Sequence, residues 1–532
     1  MAETPKKQSF LHGTMLLAMS TAIVKVIGAF YSIPLNAIIG EQGFSYYSTA
    51  YEIYTLLLMI STAGLPVAMS RMISQASSLG NFRQVRKIYT VSRTIFLTLG
   101  LIGALLMTLF ARQLAAFQEQ PDAWAAIATL GPSCFLICLM STYRGFFQGQ
   151  SNMMPTSVSQ VLESICKLVI GIAAALLLLW YTQSFSLAAG GAIFGVTMSC
   201  LVSSFYLNHC FRKAYKALPV SDEAVSSGKD IAKGLLAIAI PITIGSAGLQ
   251  ILTVLETKIY MSQLLQTLTQ SQADVQKGIY NFTQKIFNMP CAFITPITIS
   301  VIPAITAQLT TGDLKAAKET EESAVRVTGL ISAPCAVGLA VLAEPVTALL
   351  GGYTGERLEL AAQLMMILGI CIVFNSIVLL TNAIMQAHGH VNLPVVNMFV
   401  GGIIKLVAVF ILTGNPLIGI LGTPIGSLLC YLSITVLNLF SMRRALPQAP
   451  AVLRNIGKSL LAAAIMGLAV YGTWQGLIAL LGTDMSRVIA CGVPIAVGVA
   501  VYAVAAVKLK AITREDCLLL PKGEKIAKLL HL

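Results

Sequence analysis

The stretch QGQSNMMPTSVSQVLESICK (Gln148–Lys167) returns later in the chain as QAHGHVNLPVVNMFVGGIIK (Gln386–Lys405). Each copy holds a polar loop with an asparagine, then a proline (Pro155, Pro394), then a lysine inside an apolar run. Proline suits the first turn of a helix, where its missing N–H has no partner anyway. A second echo lies upstream of each copy. YSTAYEI (Tyr47–Ile53) corresponds to YNFTQKI (Tyr280–Ile286), and both lead to a Gly-polar pair, Gly80-Asn81 or Gly312-Asp313. A basic segment follows each pair, with Arg83 and Arg86 or Lys315 and Lys318. Two echoes at a near-constant offset mark an internal duplication.

The duplicated segments sit in a strongly apolar chain. Of 532 residues, 56% are hydrophobic and 11% charged, and the mean hydropathy is +0.79. Apolar runs of about 20 residues recur from end to end, enough to cross a hydrocarbon core of roughly 30 Å as helices. A barrel would instead show shorter, alternating segments. The first run, from about Leu11, is too long for a signal-peptide core and is kept as a helix. The expected fold is an all-α polytopic membrane protein of fourteen transmembrane helices. They centre on Ile23, Met59, Leu101, Phe135, Ile170, Thr197, Gly245, Phe293, Gly338, Gly369, Val407, Leu429, Leu468 and Pro494.

Six spans per copy of the repeat give two lobes in one orientation. They would be related by a pseudo-two-fold along the membrane normal, with two further helices at the C-terminus. The expected boundaries are an N-terminal lobe over 1–215, a cytoplasmic linker over 216–232 and a C-terminal lobe over 233–445. The last two helices follow over 446–510, then a cytoplasmic basic tail over 511–532. With the N-terminus in the cytoplasm, most Lys and Arg collect on the cytoplasmic side. Arg112, Lys258, Lys277, Arg357 and Arg487 are left opposite. That bias predicts cytoplasmic N- and C-termini in a bacterial cell membrane. Arg144 reads as an orienting arginine of the cytoplasmic connection RGFFQGQSNMMP.

A net charge of +13 distributed over membrane loops calls for no nucleic acid. The 11 cysteines lie mostly inside spans without a CxxC pair and read as small core residues. His388 and His390, with no third ligand nearby, read as a solvated turn, so no metal site is expected.

Charges inside the spans carry the functional reading, because each must face a cavity or a partner. The candidate cavity residues are Lys25, Glu52, Glu163, Lys167, Asn281, Lys285 and Lys405. Thr156, Ser159, Gln160, Glu163 and Lys167 form one helical stripe; Asn281, Gln284, Lys285 and Asn288 form another. Glu163 and Lys167, four residues apart, are placed to neutralise each other. Glu52 and Lys285 occupy equivalent repeat positions and are expected to pair in one state of a transport cycle. The surplus of lysines suits an anionic ligand.

GLPVAMSRMIS (Gly64–Ser74), preceded by IPLNAIIGEQG (Ile33–Gly43), and YRGFFQGQSNMMPTSVSQVLE (Tyr143–Glu163) resemble the polysaccharide-transporter and MurJ branch of the MOP flippase superfamily. The resemblance is to the stage V sporulation protein B type. It implies export of an undecaprenyl-linked sugar, most simply the peptidoglycan precursor lipid II, by alternating access through a cationic cavity. It also implies cell-wall and sporulation roles. IVKVIGAF (Ile23–Phe30) matches the family's basic motif on helix one, which gives Lys25 that role, and the basic residue of helix eight falls on Lys285. This chain has Tyr31, Glu52 and Tyr54 where such proteins have arginines, so its anion site is built differently.

The expected function is therefore a flippase, not an enzyme, with a lipid-linked anionic saccharide and the bilayer as partners. It would act as a monomer without cofactor, with Na+ or H+ as candidate coupling ions. The alternative is a cation-coupled multidrug antiporter of the MATE type, which needs an intramembrane acid. Glu52, Glu163 and Glu256 are the candidates.

Overall fold

The computed structural model describes residues 10–62, 64–219, 223–446, 448–482 and 485–511. The proposed basic tail lies almost wholly outside them. Among the described residues sixteen α-helices run in order as α1 (Phe10–Thr62), α2 (Leu65–Ser78), α3 (Phe82–Leu109), α4 (Ala111–Phe117), α5 (Trp124–Gly149), α6 (Met154–Thr182), α7 (Phe185–Lys216) and α8 (Gly228–Leu264). They continue as α9 (Gln270–Thr310), α10 (Leu314–Val341), α11 (Ala343–Gly351), α12 (Gly355–Ala387), α13 (Asn392–Thr413), α14 (Gly422–Ala445), α15 (Val452–Leu481) and α16 (Arg487–Lys508).

Twelve segments among the described residues are long and apolar enough to cross a membrane. One of them, Met19–Ser78, has 60 residues. That is about 90 Å at 1.5 Å per residue, far more than one crossing needs. Gly40 breaks it with φ 64 and ψ 179, backbone angles open to glycine and costly to other residues. All fourteen expected span centres lie in helices.

The chain forms two compact units, 1–278 and 279–532. In the first, α6 packs along α7, α5 lies against α3 and α7, and α1 runs along α6, α8, α5 and α7. Helices α6 and α7 meet closely at Gly171 and Gly195, where a Cβ on Gly195 would lie 2.3 Å from the Gly171 backbone. Small residues of this kind let apolar helices meet in a membrane, where burial of apolar surface drives little association. Helix α8 packs on α1, α2 and α3 and so joins this unit, although the repeat places it in the second half of the chain. The linker before it is tied to α3. Arg86 donates to the Leu218 carbonyl at 2.9 Å and Asn81 to the Ala224 carbonyl at 2.9 Å. In the second unit α10 packs on α12 and α15, α13 on α14, and α15 on α16.

The duplication is visible in backbone geometry. After α2, Gly80 N–H bonds Ser77 O (3.1 Å) and Asn81 N–H bonds Ala76 O (3.0 Å). After α9 the corresponding bonds are Gly312 to Leu309 (3.1 Å) and Asp313 to Gln308 (3.0 Å). The two glycines have φ 76 and 77. Asn81 and Asp313 then cap the next helix by accepting from Gln84 and Ala316 N–H at 2.8 and 3.0 Å. The same 6→1 turn recurs in the opening pair of stretches. Asn152 bonds Phe147 O and His390 bonds Met385 O, both at 2.9 Å, with Ser151 and Gly389 at positive φ. These are Schellman ends, which satisfy carbonyls left over at a helix terminus.

The connection between the first pair is shorter than expected. Helix α5 continues to Gly149, so Arg144–Gly149 is helical, and only residues 150–153 join it to α6. Pro155 stands in the first turn of α6 and Pro394 in the first turn of α13, as proposed.

Candidate functional site

The first unit holds two polar constellations inside otherwise apolar packing. The polar stripe of α6 faces into the unit, with Thr156 and Ser159 fully buried. Arg144, on α5, donates through Nε to Ser159 Oγ (3.1 Å) and through Nη2 to Glu163 Oε2 (2.9 Å). The pair is partly buried, at 16% and 25% side-chain exposure. Arg144 is thus a helix residue engaged with α6, not a loop arginine whose main task is orientation. Glu163 is engaged by Arg144 of α5, a partner that the i, i+4 spacing to Lys167 did not announce. Orientation along α6 explains this, because the carboxylate turns towards α5 and the ammonium towards α1.

Lys167 Nζ donates to Tyr51 Oη at 2.7 Å. It also lies 4.5 Å from the Tyr51 ring centroid, 5.1 Å from that of Tyr31 and 6.0 Å from that of Tyr47. Three ring faces around one ammonium form a cation–π cage. The rings hold one another, with centroids of Tyr47 and Tyr51 5.0 Å apart and of Tyr31 and Tyr47 6.1 Å apart. Tyr31, read from sequence only as a missing arginine, is one wall of the cage.

The second constellation gathers at the start of α9. Lys277 is fully buried, and its Nζ donates to Thr49 Oγ1 (2.5 Å) and Gln120 Oε1 (3.0 Å) and lies 3.8 Å from Glu52 Oε2. Two of the ammonium's three N–H donors thus have hydrogen-bond acceptors, and the Glu52 carboxylate supplies the opposite charge at ion-pair distance. Asp274, one turn earlier and 1% exposed, accepts from Gln120 Nε2 (2.7 Å), Gln270 Nε2 (3.0 Å) and Tyr46 Oη (3.0 Å). Gln120 also donates to Ser45 Oγ at 2.5 Å. The helix backbones meet closely here, since a Cβ on Gly278 would stand 1.8 Å from the Glu41 carbonyl oxygen. Lys277 was expected among the solvent-side charges. A signal for it existed, because Lys277 precedes Asn281 by four residues and extends the α9 stripe by one turn.

The remaining candidates are placed as follows. The side chain of Lys25, on α1, lies outside the described residues. Asn281 is buried in the second unit on α9, its Nδ2 without a hydrogen-bond partner among the described residues. Lys285 is exposed on α9 and Lys405 half-buried on α13. Glu256 is buried on α8. Outside the candidate set, His388 Nε2 lies 2.6 Å from Oε1 of Glu321, which is 1% exposed. His388 therefore docks on α10 rather than forming a solvated turn. No cluster of three or more metal-ligating side chains occurs among the described residues.

A set of membrane-length apolar helices, with ion pairs and a caged lysine among them, defines a multi-pass membrane protein. The chain belongs to the family described as polysaccharide biosynthesis protein, which it matches over residues 10–308. It also matches the MatE family over residues 259–411. Lipid II flippase MurJ of Bacillus subtilis (strain 168) is 24% identical over 480 residues, covering 86% of this chain and 87% of that protein. Stage V sporulation protein B of the same organism is 25% identical over 448 residues, covering 83% and 85%. Among solved structures, an inward closed lipid II flippase MurJ superposes with a TM-score of 0.70 at 14% identity, covering 92% of this chain and 98% of that one. An inward-facing multidrug resistance MATE transporter of the MOP superfamily superposes at 0.65 with 16% identity, covering 82% and 97%. The relatives and solved neighbours so named are flippases or transporters rather than enzymes.

Proposed function

We propose that the protein moves an anionic, lipid-linked saccharide from the cytoplasmic to the outer leaflet by alternating access, with lipid II as the first substrate to test. The observation that carries this reading is the state of the acids in the first unit. Glu163 is engaged by Arg144, and Glu52 by Lys277, with Asp274 held by Tyr46, Gln120 and Gln270. A carboxylate matched by the protein's own base is a poor site for a cationic drug or coupling ion. Lys167, half-buried in a cage of neutral rings, is placed to meet the phosphates of a lipid head group. The relative named as a lipid II flippase supports the same substrate class.

In this reading the membrane is crossed fourteen times. The long N-terminal segment crosses twice about Gly40, and α9 crosses once. Two six-helix repeats are followed by α15 and α16, both termini are cytoplasmic, and the monomer is the working unit. No cofactor is called for. The drive is Na+, H+ or the membrane potential, which is worth ~2.3 kcal/mol per charge per 100 mV. The match to the MatE family and the buried Glu256 favour cation-coupled drug export as the second reading. Complementation separates the two. A strain depleted of its lipid II flippase should grow when given this chain, and failure to grow while drug resistance rises would favour the antiporter.

A further inference from the structure

At the end of the second unit where α11, α12, α15 and α16 meet, a cavity of about 450 Å³ opens. That size is in the range of small-molecule sites. On the topology proposed above, this end faces outward. Its walls include Arg487, Glu344, Trp474, Tyr353, Thr354 and Ile478. Arg487 is the first residue of α16, and its Nη1 donates to the Ala348 carbonyl of α11 at 3.1 Å. That bond fixes the guanidinium at the cavity wall, and its other N–H groups have no hydrogen-bond partner among the described residues. Trp474 is steadied by Tyr471, the two rings meeting edge to face at 6.3 Å. The surface beside the cavity is greasy, because Leu480, Leu481, Val488 and Ile489 are all exposed.

We infer that this cavity binds the phosphate-bearing head of a membrane lipid. Each part of the head finds a matching group. A guanidinium offers paired donors to phosphate oxygens. Glu344 accepts from sugar or glycerol hydroxyls, and an indole covers their apolar face while its N–H stays near water. The exposed leucines and branched residues of α15 and α16 take the first part of the chain. A free sugar phosphate would leave that apolar flank unused, so the ligand is a lipid. Two lipids share this chemistry, a polyprenyl-linked saccharide and an anionic glycerophospholipid.

The test is a binding measurement that does not depend on what the protein transports. The chain has 3 tryptophans. In the variant Trp124→Phe, Trp180→Phe, the fluorescence reports on Trp474 alone. This protein, in phosphatidylcholine nanodiscs, is titrated with dihexanoyl phosphatidylglycerol, farnesyl pyrophosphate, dihexanoyl phosphatidylcholine and inorganic pyrophosphate. Native mass spectrometry counts retained lipids in parallel. The expected result is a saturable shift with one or both anionic lipids, weakened at least tenfold by Arg487→Gln and unchanged by Arg83→Gln. Whichever anionic probe saturates at lower concentration identifies the source of the head group. An equal response to phosphatidylcholine or inorganic pyrophosphate, or an unchanged response in Arg487→Gln, overturns the inference. So does the absence of both a shift and a retained anionic lipid.

Discussion

The Nζ of Lys277 lies 3.8 Å from Oε2 of Glu52, which joins the start of α9 to the part of α1 beyond Gly40. Neither side chain has a sequence neighbour that announces the contact. Lys277 is the more deeply placed, at 0% side-chain exposure against 17% for Glu52. Burying an ammonium is costly unless it is paired and hydrogen-bonded, and here Thr49 and Gln120 accept from it while Glu52 supplies the opposite charge.

Removing the base should therefore do more damage than removing the pair. Lys277→Met leaves the Glu52 carboxylate without its cation and is expected to lower stability by about 3–5 kcal/mol. The combined change Lys277→Met, Glu52→Gln should recover part of that loss. Thermal unfolding of the three purified variants in detergent checks the order.

The Arg144–Glu163 pair is a coupling rather than two separate contributions. Arg144→Ala and Glu163→Gln should each impair folding or transport, and the double variant should be less impaired than their sum. Contacting residues of this kind show interaction energies of about 0.5–3 kcal/mol in double-mutant cycles. A cycle that closes additively would show that the 2.9 Å contact does not matter.

Lys167 should behave as a ligand-binding residue, with its tyrosines holding it in place. Lys167→Ala is expected to reduce transport by about ten- to a hundredfold, the range for losing a charged hydrogen bond of roughly 1.5–3 kcal/mol. Tyr51→Phe removes only one neutral acceptor and should cost about fivefold. Lys167→Arg should retain more activity than Lys167→Ala. Initial transport rates at equal protein abundance decide between these outcomes.

Gly278 and Gly245 make a matched pair for backbone packing. A Cβ at Gly278 meets the Glu41 carbonyl at 1.8 Å, whereas one at Gly245 meets nothing within 4 Å. Gly278→Ala should therefore prevent accumulation of folded protein. Gly245→Ala should be neutral or stabilising by up to about 1 kcal/mol, because glycine is a weaker helix former than alanine. Size-exclusion profiles of the two variants give the answer.

The sequence carried the helices and the duplication well, because both depend on local chemistry. Apolar length marks the spans. The Gly80-Asn81 and Gly312-Asp313 pairs mark two Schellman ends followed by caps, and Pro155 marks a helix start. What was not legible is contact between helices. Glu163 turns to Arg144, on a different helix, because helical stripes record which face a residue occupies and not what lies opposite it. Lys277 reads as one of the few charges left opposite the cytoplasm, yet the run from Gln270 to Gly278 is the first part of α9, clamped by Gln120, Thr49 and Tyr46. The tyrosine cage escaped for the same reason. Nothing local in the sequence sets Tyr31, Tyr47 and Tyr51 around Lys167, which α6 brings among them.

The central claim is movement of a lipid-linked anionic saccharide that depends on Lys167. Its most direct measurement is the exposure of fluorescent lipid II across the bilayer of proteoliposomes that hold the purified protein. The account predicts rapid transbilayer exposure with the native chain and a loss of about ten- to a hundredfold with Lys167→Ala at equal reconstitution. Native protein no faster than empty liposomes, or Lys167→Ala as fast as native, would contradict it.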